Sequence, residues 1–102
     1  MQRYEMTVAE RAKTMLGAHV KYLAQISPSV ARKTKAILLA AIRSLEHMPE
    51  RFPFFEDEYV PRNKYRKMFV ENWYLVLYQI RDKTVFVDYI VDCRQDYSWL
   101  IR

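Results

Sequence analysis

The chain has 102 residues and a mass of 12.4 kDa, the size of one domain, and its apolar fraction of 51% suffices for a core and is too high for a disordered chain. The lone glycine, Gly17, excludes a P-loop or a dinucleotide fingerprint, which need several glycines; the lone cysteine, Cys93, excludes an internal disulfide and a cysteine-based zinc site. A net charge of +5 and a pI near 9.4 point to an acidic partner or a nucleic acid.

No apolar run approaches the roughly 18 residues of a membrane span, and the N-terminal residues lack the apolar core of a signal peptide. The expectation is therefore a single cytoplasmic domain over residues 1–102, with no membrane partner. A brief edge strand is expected over Arg3 to Met6. Thr7-Val8-Ala9-Glu10 then has the form of a capping box, in which threonine and glutamate satisfy opposite backbone donors. Val8, Ala12, Met15, Leu16, His19, Leu23 and Ile26 follow at steps of three and four, one face of an amphipathic helix. Ser27-Pro28 stops this helix and starts another, with serine as cap and proline at the tolerated first position. Val30, Thr34, Ile37, Leu38, Ala41, Leu45 and Met48 form the second stripe, and Pro49 ends it. The short turn predicts an antiparallel helical hairpin.

Arg51-Phe52-Pro53-Phe54-Phe55, the acidic Glu56-Asp57-Glu58 and the basic run from Arg62 to Lys67 read as an ordered loop pinned by phenylalanines. Beyond it the chain is dense in β-formers and predicts three strands, about Tyr65–Val70, Trp73–Arg81 and Thr84–Arg94. Glu71-Asn72 and Asp82-Lys83 are read as two-residue hairpin loops. The fold class is α+β, in the order β-α-α-β-β-β, with the helical hairpin on one face of an antiparallel sheet.

Pairing Val70 with Trp73 and Arg81 with Thr84 sorts the strands into two faces. Tyr65, Lys67, Phe69, Tyr74, Val76, Tyr78, Ile80, Val85, Val87, Tyr89, Val91 and Cys93 fall on the face expected to meet the helices. Arg66, Met68, Val70, Trp73, Leu75, Leu77, Gln79, Phe86, Asp88, Ile90, Asp92 and Arg94 fall on the other. Six large apolar groups left bare there predict a docking surface, since soluble monomers rarely expose so contiguous a patch. Arg62, Lys64, Arg66 and Lys67 form the densest basic run and would steer an acidic partner.

Four stretches carry a family likeness: the Ser27-Pro28 break between long helices, Tyr65-Arg66-Lys67-Met68-Phe69-Val70, Trp73-Tyr74-Leu75-Val76-Leu77-Tyr78-Gln79-Ile80, and Val91-Asp92-Cys93-Arg94-Gln95-Asp96. In this order they resemble the RelE/ParE superfamily of toxins from type II toxin–antitoxin systems, associated with plasmid stabilisation. The resemblance implies a growth-inhibiting toxin neutralised by a small acidic antitoxin, through which the chain could also oligomerise. RelE-like members cut messenger RNA on the ribosome; ParE-like members block DNA gyrase. By position, Arg66 and Arg94 match two basic sites of the ribonucleases, and Tyr97 stands nearest their terminal aromatic. Met68 and Leu75 replace a lysine and an arginine of those enzymes, and no histidine follows His47. The balance favours a ParE-like binder over a RelE-like endoribonuclease, with a catalytically silent antitoxin-binding domain as a third possibility.

If the chain were a ribonuclease, Arg66, Arg94 and Tyr97 would form its catalytic set, although strand spacing puts Arg66 and Arg94 roughly 20 Å apart. For a binder, the set is Arg66, Met68, Trp73, Leu75, Leu77, Phe86, Ile90 and Arg94. No cofactor or metal is expected. Asp88 and Asp92 lack a third ligand and read as solvated strand carboxylates, although Arg94 has Asp92 or Glu71 within pairing range. His19 reads as a packed core histidine and His47 as a residue of the last helical turn, suited to the helix dipole. Cys93 is expected to face the core and be inert.

Overall fold

The structure, a computed structural model, describes residues 3–94. Strand β1 (Glu5–Val8) leads into helices α1 (Glu10–Ile26) and α2 (Pro28–Arg43), and strands β2 (Arg66–Val70), β3 (Tyr74–Arg81) and β4 (Thr84–Asp92) follow. The four strands form one mixed sheet in the order β1-β4-β3-β2, with β1 parallel to β4 and the other pairs antiparallel. None of the described helices is long and apolar enough to cross a membrane.

The break between the helices forms as its residues dictate. Ser27 is extended, its Oγ accepts from the Val30 N–H at 3.3 Å, and Pro28 takes the first helical position, where its missing donor costs nothing. The start of α1 differs from the expected capping box. Thr7 lies in β1 opposite Phe86, and Ala9 is the cap, with no side-chain bond of its own. Its N–H instead donates to Val87 at 2.9 Å, so pairing with β4 runs up to the first helical residue and keeps Thr7 in the strand. Helix α2 also ends early, at Arg43. A 3-10 turn over Ser44–Glu46 follows, and Met48 adopts a left-handed conformation before Pro49. His47 is therefore outside the helix.

The core between helices and sheet is built from Ala12, Leu38, Ile42 and Leu45 above Val76, Tyr78, Val85, Val87 and Ile90, all at most 5% exposed. The helical periodicities locate this seam, but the ends of the stripes escape it. Ile26, Val30 and Met48 are exposed, because they lie beyond the area that the sheet can cover.

Two local features overturn the expected sorting of faces. The first hairpin turns through three residues, since Glu71 and Asn72 both take left-handed φ angles (55° and 59°), so Val70 pairs with Tyr74 and not with Trp73. That one-residue change turns over all of β2, because side chains alternate with a period of two. The second is a β-bulge: Leu77 pairs with Tyr89 but Tyr78 with Val87, leaving Asp88 as the extra residue. It turns over the far half of β4. Met68 and Ile90 consequently lie beneath the helices, 3% and 0% exposed, and are withdrawn from any docking surface.

Leu75 and Leu77 keep their predicted face, but the chain itself seals it. Phe55 and Tyr65 pack against Leu75, Leu77 and Val91, with Val60, Tyr89 and Cys93 at the margin. Phe55 is held there by its N–H bond to the Tyr65 carbonyl at 2.7 Å. The expected bare apolar face is thus a second, smaller core, and Cys93 sits at its edge and not under the helices.

Candidate interaction site

The sheet delivers the two arginines singled out from sequence to different structural tasks. Arg66 shares the side of Tyr78, opposite which it pairs, and its Nη1 donates to the carbonyls of Glu50 (3.0 Å) and Phe52 (2.7 Å). Its guanidinium also lies 4.1 Å from the Phe54 ring centre. Tyr78 completes this fastening: its hydroxyl donates to the Pro49 carbonyl at 2.6 Å, and the residue is wholly buried. Arg66 and Tyr78 thereby satisfy three carbonyls of a segment that has few ladder bonds of its own. Arg66 is a clamp for residues 49–54.

Arg94 ends a different network. Asp92, only 5% exposed, receives bonds from Arg94 Nε and Nη2 at 2.9 Å each and from the Arg94 backbone N–H at 3.0 Å. Arg94 Nη2 also donates to the Tyr74 hydroxyl at 3.2 Å, and the guanidinium stands 5.0 Å from the Trp73 ring centre. The bidentate pair fixes the plane of the guanidinium more firmly than a single contact could. Burial pushes the Asp92 carboxyl up, but the Arg94 bonds and charge outweigh it and hold the group below its ordinary value. Asp92 is therefore a paired, buried carboxylate, not the solvated one expected from sequence. Beside it, His19 Nε2 donates to the Ile90 carbonyl at 2.8 Å and its ring tilts 5.5 Å from Tyr74, the packed histidine that the sequence suggested.

Around Arg94 opens a groove of about 330 Å³ between the helical hairpin and the sheet end. Leu23, Val30 and Ile37 line one side, Trp73 and Tyr74 the other, with Lys33 at the rim. Trp73 is half exposed. Of the residues nominated from sequence, the structure brings together only Trp73 and Arg94. Arg66 lies four strand positions from Asp92, the residue that holds Arg94, or about 13 Å by the rise of a strand. Phe86 is half-buried beside Arg81, whose guanidinium is 5.8 Å from its ring. Tyr97 lies outside the described residues. Sequence reasoning missed Tyr74, Lys33 and the helix residues of this groove. Tyr74 was already expected on the helix side, and it is the bulge at Asp88 that turns Asp92 there beside it, an insertion that no glycine marks.

The basic run is likewise dispersed. Strand alternation sends Arg66 and Lys67 to opposite sides, and Lys64 rests 5.4 Å from the Tyr65 ring. Every described tyrosine with a clear shift is moved upward: burial pushes Tyr65 and Tyr78 to about 12 and also raises Tyr74. None of these is poised to accept a proton near neutrality. Burial also raises the Cys93 thiol, which keeps it protonated and unreactive. Among the described residues, no three carboxylate, histidine or cysteine side chains converge as a metal site would require.

With this arrangement established, comparison with known proteins is decisive. The model of the ParE toxin of the type II toxin–antitoxin system parDE matches residues 7–97. The chain belongs to the ParE toxin family. Its fold is also that of a solved chain described as a chromosomal ParDE toxin–antitoxin system from P. aeruginosa, with a TM-score of 0.73 at 18% identity, covering 88% of this chain and 96% of that one. No curated protein matches. The ParE assignment agrees with the residues that depart from the RelE pattern: Met68 and Leu75 are core side chains in this ParE fold.

Proposed function

We propose that this ParE-family toxin inhibits growth by binding DNA gyrase, not by cutting RNA, and that an acidic antitoxin neutralises it in the cytoplasm. The observation that carries this reading is the commitment of both family arginines to internal partners. Phosphodiester cleavage needs a base, a cation for the developing charge and an acid for the leaving oxygen, gathered around one phosphate. Arg66 clamps the carbonyls of Glu50 and Phe52, Arg94 is held by Asp92, and about 13 Å of strand separates Arg66 from Asp92. The described tyrosines that shift do so away from basic behaviour.

A rigid, partly exposed Trp73 beside a fixed Arg94 suits recognition instead, since aromatic and arginine side chains dominate binding hot spots. The antitoxin would place an apolar side chain against Leu23, Val30 and Trp73 and a carboxylate near Lys33 and Arg94. One copy of residues 1–102 would act as a single domain, and higher assemblies would arise through the antitoxin.

The test is supercoiling by purified gyrase with and without the purified toxin, alongside transcript integrity in cells expressing it. Inhibited supercoiling with intact messenger RNA supports the proposal. Codon-specific transcript cleavage with unimpaired gyrase would establish the ribonuclease alternative. Trp73→Ala, a change at a half-exposed site, should weaken antitoxin binding at least about tenfold while leaving the fold unchanged.

A further inference from the structure

The excess positive charge of this chain is confined to its helical hairpin. Between Glu10 and Glu46 stand seven lysines and arginines and no acid, while the other ten basic residues share the chain with all twelve acids. Helices α1 and α2 fill that stretch. Two of the seven are engaged elsewhere. Arg11 donates to the Asp88 carbonyl and lies 4.0 Å from the Tyr89 ring centre, and Lys33 lines the Trp73 groove.

The remaining five, Lys13, Lys21, Arg32, Lys35 and Arg43, are all exposed. Lys13, Lys21 and Lys35 rim one shallow groove along the helix pair, floored by Leu16, Gly17, Val20 and Ala24. Arg32, Lys35 and Arg43 recur at helical spacing on one face of α2. By the helical rise, Arg32 and Arg43 stand about 16 Å apart and Lys35 and Arg43 about 12 Å. Among the described residues only Lys13 of the five has an acidic partner, Glu10 at 3.4 Å.

We propose that this face of the hairpin is a sequence-independent contact for the phosphate backbone of duplex DNA. A row of cations of one sign is complementary to the one polymer whose surface is uniformly anionic, a charge per about 1.7 Å of duplex axis. The Lys35–Arg43 separation matches a major-groove width of about 12 Å, so the two can meet phosphates on either side of it. The residues lining the groove include no aromatic on which unpaired bases could stack, which favours duplex over single strands. Its floor of small and medium aliphatic side chains offers no deep anchor pocket of the kind that dominates protein–protein contacts. The residues are separate from Trp73 and Arg94, so the proposal stands whichever macromolecule the toxin inhibits.

The test is anisotropy of the full-length protein with a labelled duplex of about 24 base pairs, titrated from low salt to about 0.2 M. Five phosphate contacts predict a slope of about −4 to −5 in log affinity against log salt. Arg32→Glu/Lys35→Glu/Arg43→Glu should lower affinity at least about tenfold and flatten the slope by about three. A variant of equal net charge, Arg62→Glu/Lys64→Glu/Lys83→Glu, should bind nearly as the parent. Equal losses in the two triple variants would show attraction by net charge alone and overturn the proposal. Displacement of duplex by poly-glutamate at equal charge concentration would also overturn it, assigning the face to an acidic protein, as would preference for a single strand of the same length. If the first triple does not fold, Arg32→Gln/Lys35→Gln, which only neutralises exposed charge, must still flatten the slope by about two.

Discussion

Arg94→Ala is the obvious variant for probing toxicity, and the structure predicts that it acts first on stability. It removes both side-chain donors from an Asp92 that is 5% exposed, while Arg94 itself is 40% exposed. Removing one partner of a fully buried pair costs about 3–5 kcal/mol. Solvent reaches Arg94, so the cost here is about 2–3 kcal/mol. For a domain of this size that lowers Tm by about 10–15 °C. Asp92→Asn keeps the shape and leaves its partner partly in water, so it should cost about 1 kcal/mol. The double variant Asp92→Asn/Arg94→Ala should be more stable than Arg94→Ala alone, because no buried charge is stranded.

The pH dependence supplies the sign. In the parent chain the Asp92 carboxyl is held low, so its contribution is present above the unfolded carboxylate value and is lost as pH falls through the folded value. Without Arg94, burial is the main remaining influence and raises the group, so the folded state takes up a proton readily. The deficit of Arg94→Ala should therefore shrink as pH falls from 7 toward about 4. Thermal melts by circular dichroism of the three variants at several pH values test this. A Tm for Arg94→Ala within about 2 °C of the parent at pH 7, or a deficit that does not shrink on acidification, refutes the reasoning.

Other consequences can be measured on the same material. Tyr65 and Tyr78, pushed to about 12 by burial, stay protonated in the folded chain after the unfolded chain begins to ionise near pH 10. Stability is thus intact below pH 10 and falls as pH rises toward 12, by up to about 3 kcal/mol for each tyrosine; the loss should be reduced in Tyr65→Phe/Tyr78→Phe when followed by alkaline denaturation. Leu75→Glu should prevent folding, not merely weaken a partner, because Leu75 is 1% exposed under Phe55 and Tyr65; a soluble variant with a parent-like melt would contradict the sealed face. Ser27→Ala removes the cap of α2 and should cost about 1 kcal/mol in urea denaturation.

The order of elements, the Ser27-Pro28 break, the three closing strands and the family likeness were all legible in the residues, because these rest on local chemistry: a cap, a locked proline ring, helical periodicity and β-branched density. The central strand was also legible, since Tyr74, Val76 and Tyr78 alternate with Leu75 and Leu77 whatever lies beside them. Which residues share a face across strands was settled by long-range pairing. Side-chain direction has a period of two, so a single extra residue in the Glu71–Trp73 turn and another at Asp88 turned over β2 and the far half of β4. Both insertions use backbone conformations that no glycine marks. They carried Met68 and Ile90 into the core, Arg66 onto the carbonyls of residues 50 and 52, and Asp92 to the place where it orients Arg94. The fate of Leu75 and Leu77 depended on a further long-range event, the folding of Phe55 over them, which no periodicity within the strands encodes.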